Sequence, residues 1–367
     1  MPTNASPQGP ESSGRGRSAP STWGACPLPI SQHQTIQLAH GSGGRLMDHL
    51  IHELFLRAFD NPVLGRLDDH ATLELGGLRL SVSTDSFVVD PLFFPGGDIG
   101  ELAVNGTVND VSMGGARPLF LTAGFILEEG FPLGDLERIV ASMQHAAERA
   151  GVVIVAGDTK VVNRGKGDKV FINTTGIGVI EHDHTISCRR LAAGDRLLLS
   201  GTVADHGIAI LSQREGLSFD TPIESDTAPL NELVHAMVAA GGSSVHALRD
   251  PTRGGLAATL DEFAQASAVS IRVQEAAIPV KPAVAGACEL LGLDALHIAN
   301  EGKLVAAVAP DRADRVLAVM RSHELGRDAA CIGEVVAEPA GLVSVQTRLG
   351  PWRVLDRPAG EPLPRIC

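Results

Sequence analysis

The sequence predicts a two-domain α/β protein, and three observations support this fold class. The 367 residues leave room for about two domains at the usual size of about 100 to 200 residues each. Strand-like and helix-like segments alternate along the chain, which is typical of an α/β fold. The alternation begins again after Gly194, so we expect a first domain over residues 35–190 and a second over residues 191–345.

The two ends of the chain differ from these domains. Residues 1–34 are rich in proline, serine and glycine and have no periodic apolar pattern, which predicts a disordered extension. Residues 346–367 form a C-terminal segment whose last part, from Asp356, contains three prolines and ends at Cys367. We expect this last part to be a mobile tail in which the sulfur of Cys367 is exposed.

The elements of the first domain follow from local periodicity. Apolar and polar residues alternate in "LRLSVSTDSFVV" (78–89), which predicts a strand. Residues 98–115 have mostly helical spacing and end in a glycine pair. Residues 135–151 carry an apolar stripe and end at Gly151, which predicts an amphipathic helix. Three further strands are predicted in "LFLTAGFILEE" (119–129), "VVIVAGDTKVV" (152–162) and "KVFINTTGIGVI" (169–180), and we expect the second of these to be buried.

The second domain has the same mixture of elements. Strands are predicted in "RLLLSG" (196–201), "VSIRV" (269–273) and "KLVAAVAP" (303–310), and the end of the chain, from about Leu342, adds the strand-like "LVSVQTRL" (342–349) and "WRVL" (352–355). Helices are predicted from Asp205, around residues 228–240, in "TRGGLAATLDEFAQAS" (252–267) and at residues 283–292. These elements predict a second α/β domain.

Composition excludes several classes of protein. Apolar residues make up 44% of the chain, which predicts a globular body. Because no apolar run reaches about 18 residues and the N-terminus lacks a secretory pattern, we expect a cytoplasmic protein without membrane contact. The net charge of −13 disfavours a nucleic-acid surface. The five cysteines form no C-x-x-C pair, which argues against a zinc site and a disulfide framework.

Acidic residues recur beside apolar or small residues near the ends of predicted elements. They are Asp69, Asp85, Asp110 and Asp158. An ionised carboxylate in such surroundings is costly unless it is paired or binds a metal. Carboxylates that converge from several segments are typical Mg²⁺ ligands that hold a polyphosphate. The alternative interpretation is that each aspartate caps a turn or a helix.

A glycine-rich loop, "HGSGG", precedes a predicted helix and contains Gly41, Gly43 and Gly44. Backbone N–H groups in such a loop can cradle phosphate. The loop lacks the spacing of a P-loop and does not follow a strand, so a mobile linker is an equal alternative.

Three other places carry candidate chemistry. Lys160 lies where a loop would leave a strand, and it could neutralise phosphate charge or be an ordinary surface lysine. Glu301 in "ANEGK" could be a general base or a loop carboxylate. The motif "RDPTRGG" (249–255) places charged residues at a helix start.

Several stretches together resemble the HypE family of hydrogenase maturation factors, within the aminoimidazole-ribonucleotide synthetase (PurM-like) superfamily. The resemblance extends from about residue 34 to the C-terminus. It is carried by "STDSFVVDPLFFPGGDIG", "NDVSMGGA", "GFILEEGFPLG", "GDTKVV", "SGTVADHG", "ALRDPTRGG", "IPVKPAV", "CELLGLDAL", "NEGKLV" and the terminal "PRIC". The fold that it implies is PurM-like: an N-terminal domain that forms a homodimer through a shared β-barrel, with ATP bound near the dimer face.

The resemblance also implies an activity. In this family a carbamoyltransferase, HypF, loads a carbamoyl group onto the terminal cysteine, and ATP-dependent dehydration converts the group into a protein thiocyanate. The thiocyanate then supplies cyanide to iron on a HypC–HypD complex. Cys367 would be the substrate cysteine, Lys160 would assist electrostatically, and Glu301 would take a proton.

Binding roles are implied at matching positions as well. The loop glycines would fold over the phosphates of ATP. Mg²⁺ and the triphosphate would be bound by Asp69, Asp85, Asp110 and Asp158, with Asn109 as a further nucleotide contact.

A mobile tail would explain the position of Cys367. From Asp356 to Cys367 an extended chain spans about 35 to 40 Å at about 3.3 Å per residue, enough to cross a domain. Two alternatives remain at this point: a kinase or synthase of the same superfamily that acts on a diffusible molecule, and a non-catalytic scaffold that uses Cys367 to bind partners.

Overall fold

The computed structural model of the chain describes residues 34–217, 221–357, 363 and 365–367. Apart from residue 34, the predicted disordered extension lies outside these residues. Residues 358–362 and 364 of the predicted tail also lie outside them.

The first half of the described chain contains one large sheet and its covering helices. The strands of this half of the chain, including the short pair β3 and β4 outside the large sheet, are β1 (Ala71–Leu75), β2 (Leu78–Phe87), β3 (Phe93–Phe94), β4 (Gly97–Asp98), β5 (Arg117–Glu128), β6 (Val153–Val162) and β7 (Val170–Val179). Its helices are α1 (Arg45–Leu50), α2 (Arg57–Phe59), α3 (Ile99–Ser112) and α4 (Leu133–Ala150), with a π-helical segment at Ile51–Leu56 between the first two.

The five-stranded sheet has the order β1-β2-β7-β5-β6. Only the β5–β6 pair within it is parallel. Helix α3 packs against β2 and β7, and α4 packs against α3. Nearly every residue of α3 is buried, because the helix lies between the sheet and other parts of the chain.

The second half contains a seven-stranded sheet. Its strands are β8 (Arg196–Leu199), β9 (Val245–Arg249), β10 (Ser270–Gln274), β11 (Val305–Val308), β12 (Ala330–Val336), β13 (Val343–Gln346) and β14 (Trp352–Val354). Its helices are α5 (Asp205–Glu215), α6 (Asn231–Gly241), α7 (Gly255–Ser267), α8 (Pro282–Leu291) and α9 (Pro310–Ser322). The sheet order is β14-β13-β10-β12-β8-β11-β9, and the β10–β13 pair is parallel.

Strand β8 shows why this sheet is covered on both faces. Leu197 and Leu199 pack in one apolar cluster, and Leu198 packs in another on the opposite face. Successive side chains of a strand point to opposite faces, so a strand with no polar alternation needs a layer on each side. The α/β fold class expected from the alternating elements is confirmed. Within the described residues, no helix combines the length and apolar character needed to cross a membrane.

The helices predicted at residues 98–115 and 135–151 are confirmed as α3 and α4. Helix α4 buries Ile139, Met143 and Ala147 on one stripe, and it ends at Gly151 with φ +68°. A left-handed residue after the last turn is the usual role of glycine at a helix C-terminus.

The prediction that the strand in residues 152–162 is buried is wrong for the single chain. Strand β6 forms an edge of the first sheet, and its residues are exposed with the exception of a half-buried Val162. Val153, Val155 and Val161 are all more than half exposed. An apolar sequence indicates that a strand will be covered, but it does not say whether the cover comes from the same chain.

The start of α3 depends on Asp98, whose carboxylate caps the helix. Asp98 Oδ1 accepts hydrogen bonds from the backbone N–H groups of Gly100, at 2.7 Å, and Glu101, at 3.1 Å. The same oxygen accepts a hydrogen bond from the hydroxyl of Ser142 in α4, at 2.6 Å. This one carboxylate therefore caps α3 and joins it to α4.

We expect Asp98→Ala to lower the free energy of unfolding by about 1 to 2 kcal/mol, because it removes an N-cap and leaves donors without their acceptor. Urea denaturation followed by circular dichroism measures the change. Asp135→Ala is the control, since Asp135 lies in the first turn of α4 but does not cap it. Equal stability of the two variants would contradict the capping role.

Candidate functional site

The inner face of β2 begins the candidate site. Ser81, Ser83 and Asp85 alternate along this strand and therefore share a face. Ser83 Oγ lies within hydrogen-bond distance of two acceptors, the Asp110 carboxylate at 2.8 Å and the Asp69 backbone carbonyl at 2.9 Å. Asp110 lies in the last turn of α3 and Asp69 precedes β1. One serine thus holds two acidic segments together.

A third carboxylate comes from the second half of the chain. Asp250 directly follows β9, and its carboxylate reaches Asp69 and Asp110. One carboxylate oxygen from each of the three residues lies within 4.8 Å of the others. We call Asp69, Asp110 and Asp250 the acidic cluster. Because the cluster joins two separate sheets, it forms only when both halves of the chain are packed together.

The acidic cluster lines a cavity of about 210 Å³. Residues from both halves form its wall: Gly43, Met47, Asp69, Ser83, Thr84, Asp85, Gly106, Asp110, Arg249, Asp250, Thr252, Arg253, Ala258, Thr259, Glu262 and Glu301.

The carboxyl groups of the cluster hold protons more tightly than usual. Burial, followed by repulsion from neighbouring acids, raises the pKa of Asp110 well above its ordinary value. Burial also raises the pKa of Asp69 well above its ordinary value, although Arg249 opposes this. The pKa of Asp250 rises to about 6, again mainly through burial. Without a cation, these groups repel one another when ionised.

Arg249 supplies part of the compensating positive charge. Its guanidinium lies 3.2 Å from Asp69 Oδ1 and 2.7 Å from Glu262 Oε2. Both carboxylates raise the pKa of Arg249, which keeps the arginine charged despite its burial. One arginine cannot balance the whole acidic cluster, so the remaining negative charge favours a bound cation.

The donor set of the acidic cluster suits Mg²⁺. This ion prefers oxygen ligands and is usually held by one or more carboxylates together with phosphate oxygens and water. Three converging carboxylates in a polar cavity meet that requirement. Asp85 lines the same cavity, but its carboxylate Oδ1 accepts a hydrogen bond from the backbone N–H of Ser86, at 2.7 Å.

Glu301 faces the cavity from the loop before β11. It is 3% exposed, and its Oε1 atom has no hydrogen-bond partner among the described residues. Burial, together with Asp250, Asp85 and Asp226, raises its pKa well above the ordinary value. A carboxyl group with a raised pKa is a stronger base once it is ionised, which suits proton transfer near neutral pH.

The glycine-rich loop contacts the motif "RDPTRGG". Gly43 lines the cavity with φ +74°, and a Cβ atom there would lie 2.6 Å from the backbone oxygen of Arg253. Gly43 therefore allows a close approach of two backbones as well as a left-handed conformation. Gly41 and Gly44 are not among the residues that line the cavity, and Gly44 caps α1 instead.

The end of the chain lies inside the protein. Cys367 is 6% exposed, and its Sγ atom accepts a contact of 3.6 Å from Arg253 Nη1. The expectation that this sulfur is exposed is wrong for the described conformation. Leu363 and Ile366 are buried in an apolar cluster next to α5, and their packing brings the terminal cysteine in with them.

Two predicted site residues lie away from the acidic cluster in this chain. Asp158 and Lys160 are on the exposed edge strand β6, where Lys160 Nζ donates to Asp158 Oδ1 at 2.7 Å. Both side chains are 68% exposed. In one chain, therefore, this pair is a surface ion pair that contacts none of the cavity residues.

Asn109 joins the two halves of the chain. Its amide nitrogen donates to the backbone carbonyls of Ala228, at 3.1 Å, and Glu301, at 3.2 Å, and its oxygen accepts from the Leu230 N–H, at 2.8 Å. These three hydrogen bonds position Glu301 relative to α3. The amide is thus engaged by backbone groups rather than facing the cavity.

Asp250, Arg249, Arg253 and Ser83 also belong to the site, and none of them was assigned a role from sequence. Asp250 follows a buried strand and precedes a helix, which is the pattern that drew attention to the other aspartates. This signal could have identified it. Nothing local distinguishes Ser83 from any other serine in a strand.

Family models match both halves of the chain. Residues 67–180 match the model described as AIR synthase related protein, N-terminal domain, and residues 192–346 match the corresponding C-terminal domain. A protein of Bradyrhizobium diazoefficiens named carbamoyl dehydratase HypE is 56% identical over 332 residues, which cover 90% of this chain and 96% of that protein. This chain belongs to the HypE family. The family predicted from the sequence motifs is therefore confirmed.

Solved structures of HypE proteins have the same fold. The structure titled as a HypE–HypF complex is 53% identical, covers 84% of this chain and 99% of that one, and has a TM-score of 0.80. A structure titled as HypE in complex with ATP is 54% identical, covers 91% of this chain and 100% of that one, and has a TM-score of 0.77. The PurM-like fold class is confirmed. The HypE relatives do not favour the small-molecule kinase or the scaffold.

We expect Mg²⁺ to raise the thermal unfolding temperature of the protein and expect the increase to shrink as the pH falls from about 7.5 to about 5. Asp250, with a pKa of about 6, takes up a proton over this range, and that proton competes with the metal. The raised pKa values of Asp69 and Asp110 act in the same direction. Without Mg²⁺ the protein itself should become less stable as the pH rises, because a carboxyl group whose pKa is raised by folding favours the folded state only while it is protonated. Differential scanning calorimetry measures both effects.

Asp250→Asn should remove most of the Mg²⁺ effect at every pH. Asp311→Asn is the matched control, because Asp311 is an exposed acid in the first turn of α9. A Mg²⁺ response that is the same in both variants would rule out the acidic cluster as the metal site.

Proposed function

We propose that this chain is an ATP-dependent carbamoyl dehydratase that acts on a carbamoyl group carried by its own Cys367. The product would be a protein thiocyanate, the cyanide donor for the iron of a [NiFe]-hydrogenase during maturation. The observation that carries the proposal is the position of the terminal sulfur. It lies 3.6 Å from Arg253, and Arg253 lines the same cavity as the acidic cluster and Glu301.

The acidic cluster and the surrounding cavity would bind the triphosphate of ATP. Support comes from the polar wall of the cavity and from the 54% identical HypE whose structure is titled as an ATP complex. Asp69, Asp110 and Asp250 would hold Mg²⁺, which when bound neutralises the charge of the phosphate oxygens. Asp85 lies close enough to raise the pKa values of Asp110 and Asp250, so it adds to the negative field that attracts the cation.

The reaction balances as a dehydration driven by phosphoryl transfer. The carbamoyl oxygen attacks the γ-phosphorus of ATP and ADP leaves, while the amide nitrogen loses one proton. The carbon–oxygen bond then breaks, phosphate leaves with the bonding electrons, and the nitrogen loses its second proton. A carbon–nitrogen triple bond remains on the sulfur, and the net products are thiocyanate, ADP and phosphate.

Glu301 and Arg253 have environments that suit these steps. Glu301 would accept an amide proton, because its buried carboxyl has a raised pKa and a free oxygen among the described residues. Arg253 lies next to the terminal sulfur, and its pKa is raised chiefly by Cys367 and also by Asp85 and Glu301. A fixed guanidinium at this point would stabilise the negative charge that develops on the carbamoyl oxygen.

We also propose a homodimer formed by the first domain, taken as residues 35–190, with residues 191–345 as the second domain. The exposed apolar edge strand β6 supports this, because a long unpaired edge with apolar side chains normally pairs with another strand. A second copy packed there would bring Asp158 and Lys160 toward a cavity of its partner. Lys160 would then assist phosphoryl transfer electrostatically, as the family resemblance implies.

The partners follow from the same chemistry. The HypE–HypF structure supports HypF as the carbamoyltransferase that loads Cys367. We further propose HypC–HypD as the iron-carrying acceptor and the cytoplasm as the compartment, since a reducing compartment keeps Cys367 as a thiol.

Cys367→Ala should abolish both the carbamoyl and the thiocyanate adduct, because it removes the attacking sulfur. Binding of ATP should persist, since Cys367 is not among the residues that line the cavity. Intact-protein mass spectrometry after incubation with HypF, carbamoyl phosphate and ATP measures the adducts. Cys331→Ala, which removes an exposed cysteine, is the control. Adducts that persist in the Cys367→Ala protein would contradict the proposal that Cys367 carries the reacting group.

A mixture of Lys160→Ala and Glu301→Gln proteins tests the shared site. Each variant alone should form thiocyanate at less than about a tenth of the normal rate. If Lys160 acts in the partner's site, subunit exchange creates mixed dimers with one intact site, and activity should recover to about a quarter of normal. Absence of recovery after verified exchange would show that Lys160 does not act across a dimer.

A further inference from the structure

The last residues of the chain occupy a groove built from three separate segments. Val88 N–H donates to the Cys367 carbonyl at 2.9 Å, and Asp90 N–H donates to the Arg365 carbonyl at 3.2 Å. Residues 88–90 thus pair with residues 367–365 in the antiparallel sense. The other two segments are helix α5 and the loop that contains Asp168.

Helix α5 supplies two side chains that bind the backbone of this terminal segment. Arg214 Nη2 donates to the Arg365 carbonyl at 2.8 Å and to the Asp90 carbonyl at 2.7 Å. The guanidinium therefore bridges both strands of the pairing. Its Nε atom also donates to the Asp90 carbonyl at 2.9 Å, which fixes the plane of the group.

His206, at the start of the same helix, binds the next carbonyl. Its Nε2 atom lies 2.7 Å from the Ile366 carbonyl and its Nδ1 atom lies 2.8 Å from Ser225 Oγ. Since a carbonyl only accepts, Nε2 carries the proton and Nδ1 accepts from the serine hydroxyl. Arg214 and His206 together hold two consecutive backbone carbonyls before the terminal cysteine.

Helix α5 also leaves room for the apolar side chains of the segment. A Cβ atom on Gly207 would lie 3.2 Å from a terminal carbon of Ile366 and 3.3 Å from one of Leu363. The groove is therefore apolar at its base and donates hydrogen bonds along one side. Arg365 Nε also donates to the Val88 carbonyl at 3.0 Å, and its guanidinium forms an ion pair with Asp168 in which both side chains are about one-third exposed.

Loading and dehydration require different positions of Cys367. Cys367 is only 6% exposed, so its sulfur cannot reach the active site of another enzyme, and the segment must leave the groove to be carbamoylated. Dehydration requires the sulfur beside Arg253. The contacts in the groove thus set the equilibrium between the docked and the undocked position of the terminal segment.

We propose that Arg214 is the positioning residue that holds the loaded terminus at the site, with the Arg365–Asp168 ion pair as a weaker, exposed supplement. The proposal rests on the proposed function for its purpose, although the docking equilibrium itself can be measured without turnover. Arg214 is the stronger element because its guanidinium donates charge-assisted hydrogen bonds to two carbonyls. The Arg365–Asp168 pair is about one-third exposed, so solvent screens it in part.

The test is the rate at which iodoacetamide alkylates Cys367 in the full-length protein, measured on the terminal peptide by mass spectrometry. This rate reports the undocked fraction. Arg214→Ala should increase it about tenfold or more, since it removes charged hydrogen bonds, and Arg214→Lys should restore part of the protection. Exposed Cys331 in the same sample is an internal reference whose rate should not change.

Two further variants complete the design. Gln213→Ala, an exposed neighbour on α5, should alkylate Cys367 at the normal rate. Asp168→Ala should increase the rate about twofold to threefold without disturbing a buried group. If Arg214→Ala does not exceed Gln213→Ala, the positioning role of Arg214 is overturned. If Arg214→Ala unfolds, Arg214→Lys decides, and an alkylation rate equal to that of Gln213→Ala overturns the role.

Activity gives an independent readout. In Arg214→Ala, HypF should load Cys367 as fast as in the wild type or faster, whereas conversion of the isolated carbamoylated protein by ATP should be slower. Equal slowing of both steps would indicate general damage and would contradict a positioning role. If even the wild-type protein forms no thiocyanate, the proposed function fails, and the alkylation rates still decide whether Arg214 holds the terminus.

Discussion

The mutual repulsion of Asp69, Asp110 and Asp250 is the constraint on which the rest of the site depends. Three carboxylates whose oxygens lie within 4.8 Å of one another are stable in a folded protein only if charge is neutralised. Arg249 and raised pKa values provide part of that neutralisation. The fold thus maintains a place with excess negative charge, which is what a cation that carries a polyphosphate requires.

The acidic cluster and its cavity form where the two halves of the chain pack together. Asp110 belongs to a helix on the first sheet, whereas Asp250 and Glu301 follow or precede strands of the second. Asn109, the neighbour of Asp110, binds the backbone of Glu301 and of the segment before α6. The polar contacts between the halves therefore also set the distance between the acidic cluster and Glu301, the groups that we propose to bind the metal and to accept a proton.

The reacting group of this reaction is attached to Cys367 of the same chain, so the protein does not have to bind it as a free molecule. Covalent attachment keeps the reacting group at a high effective concentration, so the groove needs only enough affinity to orient it. Most contacts to the terminus go to its backbone, from His206, Arg214 and the N–H groups of residues 88–90. Such contacts position the sulfur without depending on the identity of each tail residue, and they can be broken one after another when the terminus leaves.

Local patterns in the sequence predicted many of the elements, because periodicity and glycine positions depend on neighbours along the chain, but β1, β9, β12 and α9 were not predicted. Helix α4 with Gly151 after its last turn is one example, and the alternation of Ser81, Ser83 and Asp85 on one face of β2 is another. The motifs also identified the family and drew attention to Asp69, Asp110, Glu301 and Cys367. The pattern around Asp250 could single out this residue, but only the folded chain shows that it completes the acidic cluster. The same holds for Asp158 and Lys160 on an exposed edge and for Cys367 buried beside Arg253. The physical reason is that these positions depend on contacts between residues far apart in the chain, and local patterns carry no information about which distant surface a side chain will meet.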